Sequence, residues 1–154
     1  MAITTGDPLP DFSLPRDGGG LLGPADFRGR KLVLYFYPKD DTPGCTVEAL
    51  AFTALLPEFE AANTAVVAIS KDSVRSHDRF RDKHALAVPL LSDEDGSVVE
   101  RFGLWGEKTM YGRKFMGIER ATFLADQAGV VRRAWPKVKV EGHAEEVLAA
   151  ARAL

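Results

Sequence analysis

Cys45 is the only cysteine among 154 residues, and it closes the run Thr42-Pro43-Gly44-Cys45. That run follows an apolar stretch, Lys31 to Tyr37, which Pro38 ends. A thiol with its ordinary pKa of about 8.5 is mostly protonated at neutral pH, and only the thiolate is a good nucleophile. Pro43 suits the first position of a helix, with Thr42 as the cap before it. Cys45 then falls in the first helical turn, where free N–H groups and the helix dipole favour an anion. On the residues alone two readings stand. One is a reactive sulfur; the other is a small buried hydrophobe, a frequent fate of a lone cysteine.

What is missing narrows the chemistry. Dithiol exchange needs a second cysteine three residues away, and position 42 is threonine. A cysteine hydrolase needs a partnered base, normally histidine. His77, His84 and His143 all lie far along the chain in predicted helices and carry no motif, so they read as packing or solvated residues. No cluster of cysteine and histidine has metal-ligand spacing, so neither a metal nor a cofactor is expected. The remaining chemistry is attack by one thiolate on an electrophilic oxygen or sulfur. A peroxidase, a monothiol reductase and an oxidation sensor all fit that description.

The elements that would position this sulfur follow from periodicity. Lys31 to Tyr37 reads as a strand buried on both faces, the habit of parallel sheets. Val47, Leu50, Ala51, Ala54, Leu55 and Phe59 follow helical spacing and predict an inward stripe, with Pro57 as a kink or break. Ala65 to Ser70 is a second buried strand, completing a βαβ unit with a right-handed crossover. A helix is expected over Ser73 to His84, capped by Ser73, with Val74, His77 and Phe80 inward. A short strand, an acidic turn and one helical turn follow in "PLLSDEDGSVVERFGLW". "GIERATFLADQAGVVRRAW" predicts a hairpin around Asp126 to Gly129, and "HAEEVLAAARAL" a closing helix with charges matched to its dipole. Upstream, "PDFSLP" suggests a short edge strand and "RDGGGLLGP" a turn with little structure. Together these predict a single α/β domain over residues 1–154, a mixed β-sheet flanked by helices in a thioredoxin-like arrangement. Sites in such sheets form beyond the carboxyl ends of the parallel strands, and Cys45 lies there.

Composition sets the outer limits. With 45% hydrophobic and 27% charged residues the chain is ordinary for a globular protein. A net charge of -2, from 20 basic and 22 acidic residues, argues against a nucleic-acid surface. The start, "MAITTGDPLPDF", has neither a basic nor an apolar signal region, and no apolar run is long enough to span a membrane. One cysteine forms no internal disulfide, so a cytoplasmic, reducing home is expected.

"PKDDTPGC", Pro38 to Cys45, fits the Pro-x-x-x-Thr-x-x-Cys signature of the peroxiredoxins, and "YFYPKDDTPGCTVEA" resembles their bacterioferritin comigratory protein (PrxQ) branch. The likeness continues through "VPLLSDEDG", "LWGEKTMYGRKFMGIERATFL" and "WPKVKVEGHAEEVL". The resemblance implies a peroxiredoxin fold and a thiol peroxidase acting on hydrogen peroxide and organic hydroperoxides. It makes Cys45 the peroxidatic cysteine, oxidised to a sulfenic acid. It makes Thr42 the hydroxyl at the sulfur and peroxide, Pro38 the shield against water, and Arg120 the guanidinium beside the sulfur. Gly44 and Glu48 are expected at the substrate site. Trp105 and Tyr111 flank a loop near the pocket, with packing as their expected work.

One departure from the branch matters. Many members carry a resolving cysteine five residues after the first, where this chain has Leu50, expected simply to pack. "SVRSHDRFRDKH" holds no cysteine either. The resemblance is therefore to a one-cysteine peroxiredoxin, expected to be a monomer and to be recycled by an external thiol donor, thioredoxin or glutathione with glutaredoxin.

Overall fold

The computed structural model describes residues 2–154. Near the N-terminus, β1 (Leu14–Pro15) and β2 (Leu21–Leu22) pair antiparallel. Gly18, Gly19 and Gly20 all take positive φ in the turn between them, a region glycine enters freely. The segment read as a bare turn is thus a small hairpin, tied to the rest by a bridge from Arg16 to Leu91.

In chain order the next elements are β3 (Lys31–Phe36), α1 (Pro43–Ala61), β4 (Thr64–Ser70), α2 (Val74–His84), β5 (Leu90–Ser92) and α3 (Ser97–Arg101). They are followed by β6 (Trp105–Met110), β7 (Arg113–Ile118), β8 (Ala121–Ala125), β9 (Val131–Trp135) and α4 (His143–Ala153). The central sheet runs β5-β4-β3-β8-β9, with β5, β4 and β3 parallel and β8 and β9 antiparallel. This is the mixed sheet of a thioredoxin-like fold.

Alternation along the strands builds a core on each face. Val33, Tyr35, Val66 and Ala68 meet Phe52 and Phe59 of α1 and Val147 and Leu148 of α4. Leu32, Leu34, Phe36, Val67 and Ile69 meet Val98, Val99 and Phe102 around α3, together with Leu9.

Helix α1 corrects the predicted stripe. Val47 is 57% exposed and Leu50 42%, and Ala54 also faces solvent. The sheet instead receives Cys45, Glu48, Ala49, Phe52 and Phe59. The helix carries apolar residues on two sides, so spacing alone did not choose between them. The choice comes from the aromatic shelf of the sheet, where Tyr35 stacks on Phe52 at 4.6 Å. Leu50 therefore does not pack inward. Pro57 lies on the exposed side of a helix that runs on to Ala61, so it does not divide the element.

The antiparallel pair β6 and β7 is a second hairpin that no sequence pattern announced. Its two-residue turn, Tyr111-Gly112, has φ of 53° and 75°, the positive values of a type I′ turn. Tyrosine is an unusual residue there, which hid the signal. Tyr111 is 98% exposed at the tip, so it packs on nothing. Among the described residues no helix is long and apolar enough to cross a membrane.

Candidate active site

Three elements bring the site together at the carboxyl end of β3. Helix α1 begins at Pro43, with Thr42 extended before it at φ -92° and ψ 156°. Cys45 is the third residue of the helix and turns inward at 2% exposure. Arg120 arrives from the opposite direction in chain terms. The antiparallel register pairs Phe36 with Ala121, so the residue before β8 lands just past the end of β3.

There the guanidinium reaches two groups at once. Nη2 donates to Cys45 Sγ at 3.3 Å, and Nη1 donates to Glu48 Oε1 at 2.7 Å. A Cβ on Gly44 would stand 3.3 Å from Arg120 Nη2, so glycine leaves the arginine room to close on the sulfur. Glycine is useful here for its missing side chain rather than for its backbone freedom.

Burial of this cluster sets its charges. It pushes Glu48 up to about 7, while the charge of Arg120 and its hydrogen bond pull the other way. Burial also opposes the charge on Arg120, yet Glu48 and Cys45 outweigh it and hold the guanidinium above its usual value. The Tyr35 hydroxyl and Glu48 Oε2 are buried with no hydrogen-bond partner among the described residues. Burial first, then the neighbouring Glu48 and Cys45, raise Tyr35 well above its usual range, so it stays a neutral hydroxyl. Tyr35 went unseen in the sequence because an aromatic in an apolar strand reads only as core.

Thr42 departs from the expected geometry. Its hydroxyl donates to the Lys39 carbonyl at 2.8 Å, and it neither caps α1 by its side chain nor bonds the sulfur. The hydroxyl proton is instead directed back into the tight turn, to the carbonyl three residues earlier. The Thr42 carbonyl accepts from both Thr46 N and Thr46 Oγ1.

Pro38 lies on the wall of a cavity of about 370 Å³, shared with Trp105, Lys108, Phe115, Met116 and Ile118; Cys45 is not on that wall. Trp105 is held by the Lys71 ammonium 3.8 Å above its ring. Burial pulls Lys108 below its usual value, with Glu119 acting against that fall. Among the described residues no group of three or more histidine, cysteine or carboxylate side chains is arranged to hold a metal.

The histidines are not bystanders in the same way. His84 Nε2 lies 2.8 Å from Asp41 at the surface, and His143 Nε2 lies 2.8 Å from the Thr122 hydroxyl. His77 is fully buried.

A likeness to known proteins agrees with this geometry. A family model for the AhpC/TSA family matches residues 5–134. Peroxiredoxin Bcp of Xanthomonas campestris is 50% identical over 143 residues, covering 93% of this chain and 89% of that protein. Among solved structures, Xylella fastidiosa PrxQ superposes with a TM-score of 0.93 at 43% identity, covering 99% of this chain and 98% of the other. The Xanthomonas campestris bacterioferritin comigratory protein, studied for its alkyl peroxide reduction activity, does so at 0.87 and 49%, covering 92% and 90%. With half of its residues shared across nearly the whole length, the chain belongs to the AhpC/TSA family, among its Bcp/PrxQ peroxiredoxins.

Proposed function

We propose that the chain is a thiol peroxidase in which Cys45 is the peroxidatic residue. The Cys45 thiolate attacks one oxygen of a hydroperoxide; an S–O bond forms as the O–O bond breaks. The sulfur loses two electrons and becomes a sulfenic acid, and the departing oxygen takes up a proton to leave as water or an alcohol. The observation that carries this reading is the 3.3 Å contact of Arg120 with Sγ, made at the first turn of α1. The guanidinium and the free N–H groups of that turn favour the thiolate and then the negative oxygen that leaves. Arginine suits the task because it stays charged in a dry site and its two arms serve Sγ and Glu48 together.

The other roles follow from position. Pro38 shields the sulfur from water, and Gly44 admits Arg120. Glu48 acts through Arg120 rather than on the substrate. Thr42 serves the peroxide once its hydroxyl leaves Lys39. Arg120, whose side chain is 17% exposed, connects the buried sulfur to solvent and marks the approach of the peroxide. The apolar wall of Trp105, Phe115 and Met116 suits the body of an organic hydroperoxide as well as hydrogen peroxide.

An external thiol attacks the sulfenic sulfur, releasing water and leaving a mixed disulfide, and a second thiol clears it. Thioredoxin, or glutathione with glutaredoxin, fits that role. The chain acts as a single-domain monomer in the cytoplasm, where its lone thiol stays reduced.

Steady-state peroxide consumption with each donor system is the test. The expected result is many turnovers with at least one donor, none for Cys45→Ser, and an oxidation rate about 100-fold lower for Arg120→Ala with an unchanged circular dichroism spectrum. Consumption that stops at one equivalent per chain would mark a sensor instead.

A further inference from the structure

Behind the site lies a second polar cluster to which the peroxide chemistry gives no part. Asp40, between Pro38 and Thr42, is 8% exposed and carries a full set of donors. Its Oδ1 accepts from the Tyr37 hydroxyl at 2.5 Å. Its Oδ2 accepts from the Ser76 hydroxyl at 2.8 Å and faces His77 Nδ1 at 2.7 Å. On the far side of the imidazole, Nε2 lies 2.8 Å from the Leu91 carbonyl. A carbonyl only accepts, so Nε2 carries a proton. Nδ1 faces a carboxylate oxygen, so a second proton, when the ring carries one, lies in that bond. In that state the pair is an imidazolium with its carboxylate, buried between the 37–42 turn, α2 and β5.

We propose that His77 is a positioning residue for hydroperoxide reduction, its proton clamping Asp40 so that the turn holding Pro38 and Thr42 is fixed relative to Cys45. This rests on the peroxidase reading above. Three further bonds tie the same turn down. The Asp40 N–H donates to Asp72 Oδ2 at 2.9 Å, and the Asp41 carboxylate meets Lys83 Nζ at 2.7 Å and His84 Nε2 at 2.8 Å. Asp41 itself stands at φ 58°, a left-handed position that aspartate enters more readily than most side chains. Of the contacts that tie the turn to neighbouring elements, only Asp40–His77 is shielded from water on both sides, so it is the least screened of these anchors.

The clamp also depends on pH. Burial pulls His77 down, but the hydrogen bond and charge of Asp40, the Leu91 carbonyl and the charge of Asp72 outweigh it and hold the imidazole above its usual 6.5. The other titratable group facing it is Tyr37, whose pKa burial raises well above its usual value, so it stays a neutral donor. A raised folded pKa means that the clamp is fully present below about 6.5 and is released as pH rises through the higher folded value.

Stopped-flow oxidation of Cys45 by hydrogen peroxide, followed by tryptophan fluorescence, tests the assignment in wild type, His77→Gln, Asp40→Asn and the double variant. Each single change is expected to slow oxidation about 10-fold or more, and the double variant no further than the slower single, because both remove one contact. The wild-type rate should also decline on an alkaline limb that His77→Gln lacks. Folded single variants that react at the wild-type rate, or losses that simply multiply, would overturn the proposal. If the variants do not fold, ring-nitrogen NMR of wild type decides: His77 must lose its proton over the same pH range as the limb, and a mismatch of more than about one unit sinks the clamp. A wild-type protein inert to peroxide would instead sink the peroxidase reading, and the NMR titration would still report on the pair.

Discussion

Glu48 shows how much a single side chain in the site depends on its surroundings. It is 1% exposed, it gives one oxygen to Arg120, and its other oxygen has no partner among the described residues. Burial lifts it from 4.5 to about 7. A group whose folded pKa lies above its unfolded value stabilises the fold at low pH, and that stabilisation disappears as pH climbs. The window here runs from about 4.5 to about 7, and the shift corresponds to a difference on the order of 3 kcal/mol. Replacing Glu48 by Gln is expected to remove that slope from a plot of unfolding free energy against pH, measured by urea denaturation. An identical slope in the variant would show that Glu48 is ionised throughout. The same substitution leaves Arg120 a neutral acceptor, so its charge is shared less between carboxylate and sulfur.

Helix α1 is the element on which the site turns, because one of its sides faces the sheet and the other faces water. Cys45, Ala49, Phe52 and Phe59 are buried on the first, while Val47, Leu50 and Ala54 stand on the second. The two sides must differ in their sensitivity to truncation. Phe52→Ala empties a position stacked on Tyr35 and should cost about 3–5 kcal/mol. Leu50→Ser should change stability by no more than about 0.5 kcal/mol, as exposed substitutions do. Chemical denaturation of the two variants checks the contrast, and a large loss for Leu50→Ser would return that residue to the core. Leu50 also lies five residues from Cys45, so the position where branch members often carry a second thiol opens outward here.

At the scale of the whole molecule, one cysteine means that oxidised Cys45 has no partner within the chain. The sulfenic acid persists until an outside thiol reaches it, and a second peroxide competes for it meanwhile. With excess hydroperoxide and no donor, intact-protein mass spectrometry should show two added oxygens at Cys45 and lasting loss of activity. Adding the competent donor before the peroxide should suppress that product. Protection by no donor would argue that the sulfur stays closed to outside thiols, a real constraint given its 2% exposure.

How much of this was readable without coordinates differs by kind of information. The strands β3 and β4, helices α2 and α4 and the β8–β9 hairpin were legible, because each is specified by nearest-neighbour patterns: unbroken apolar runs, a serine cap, dipole-matched ends. Thr42-Pro43-Gly44-Cys45 was legible for the same reason, since a helix start is a local event. Arg120, by contrast, is 75 residues from Cys45 and was one of 20 basic residues until family resemblance singled it out; its place beside the sulfur is a consequence of the β3–β8 register. The inward side of α1 and the meeting of Asp40 with His77 were likewise decided only on folding. Each is a choice between local alternatives of similar energy, settled by which long-range neighbour excludes water from them, and no window of sequence contains that neighbour.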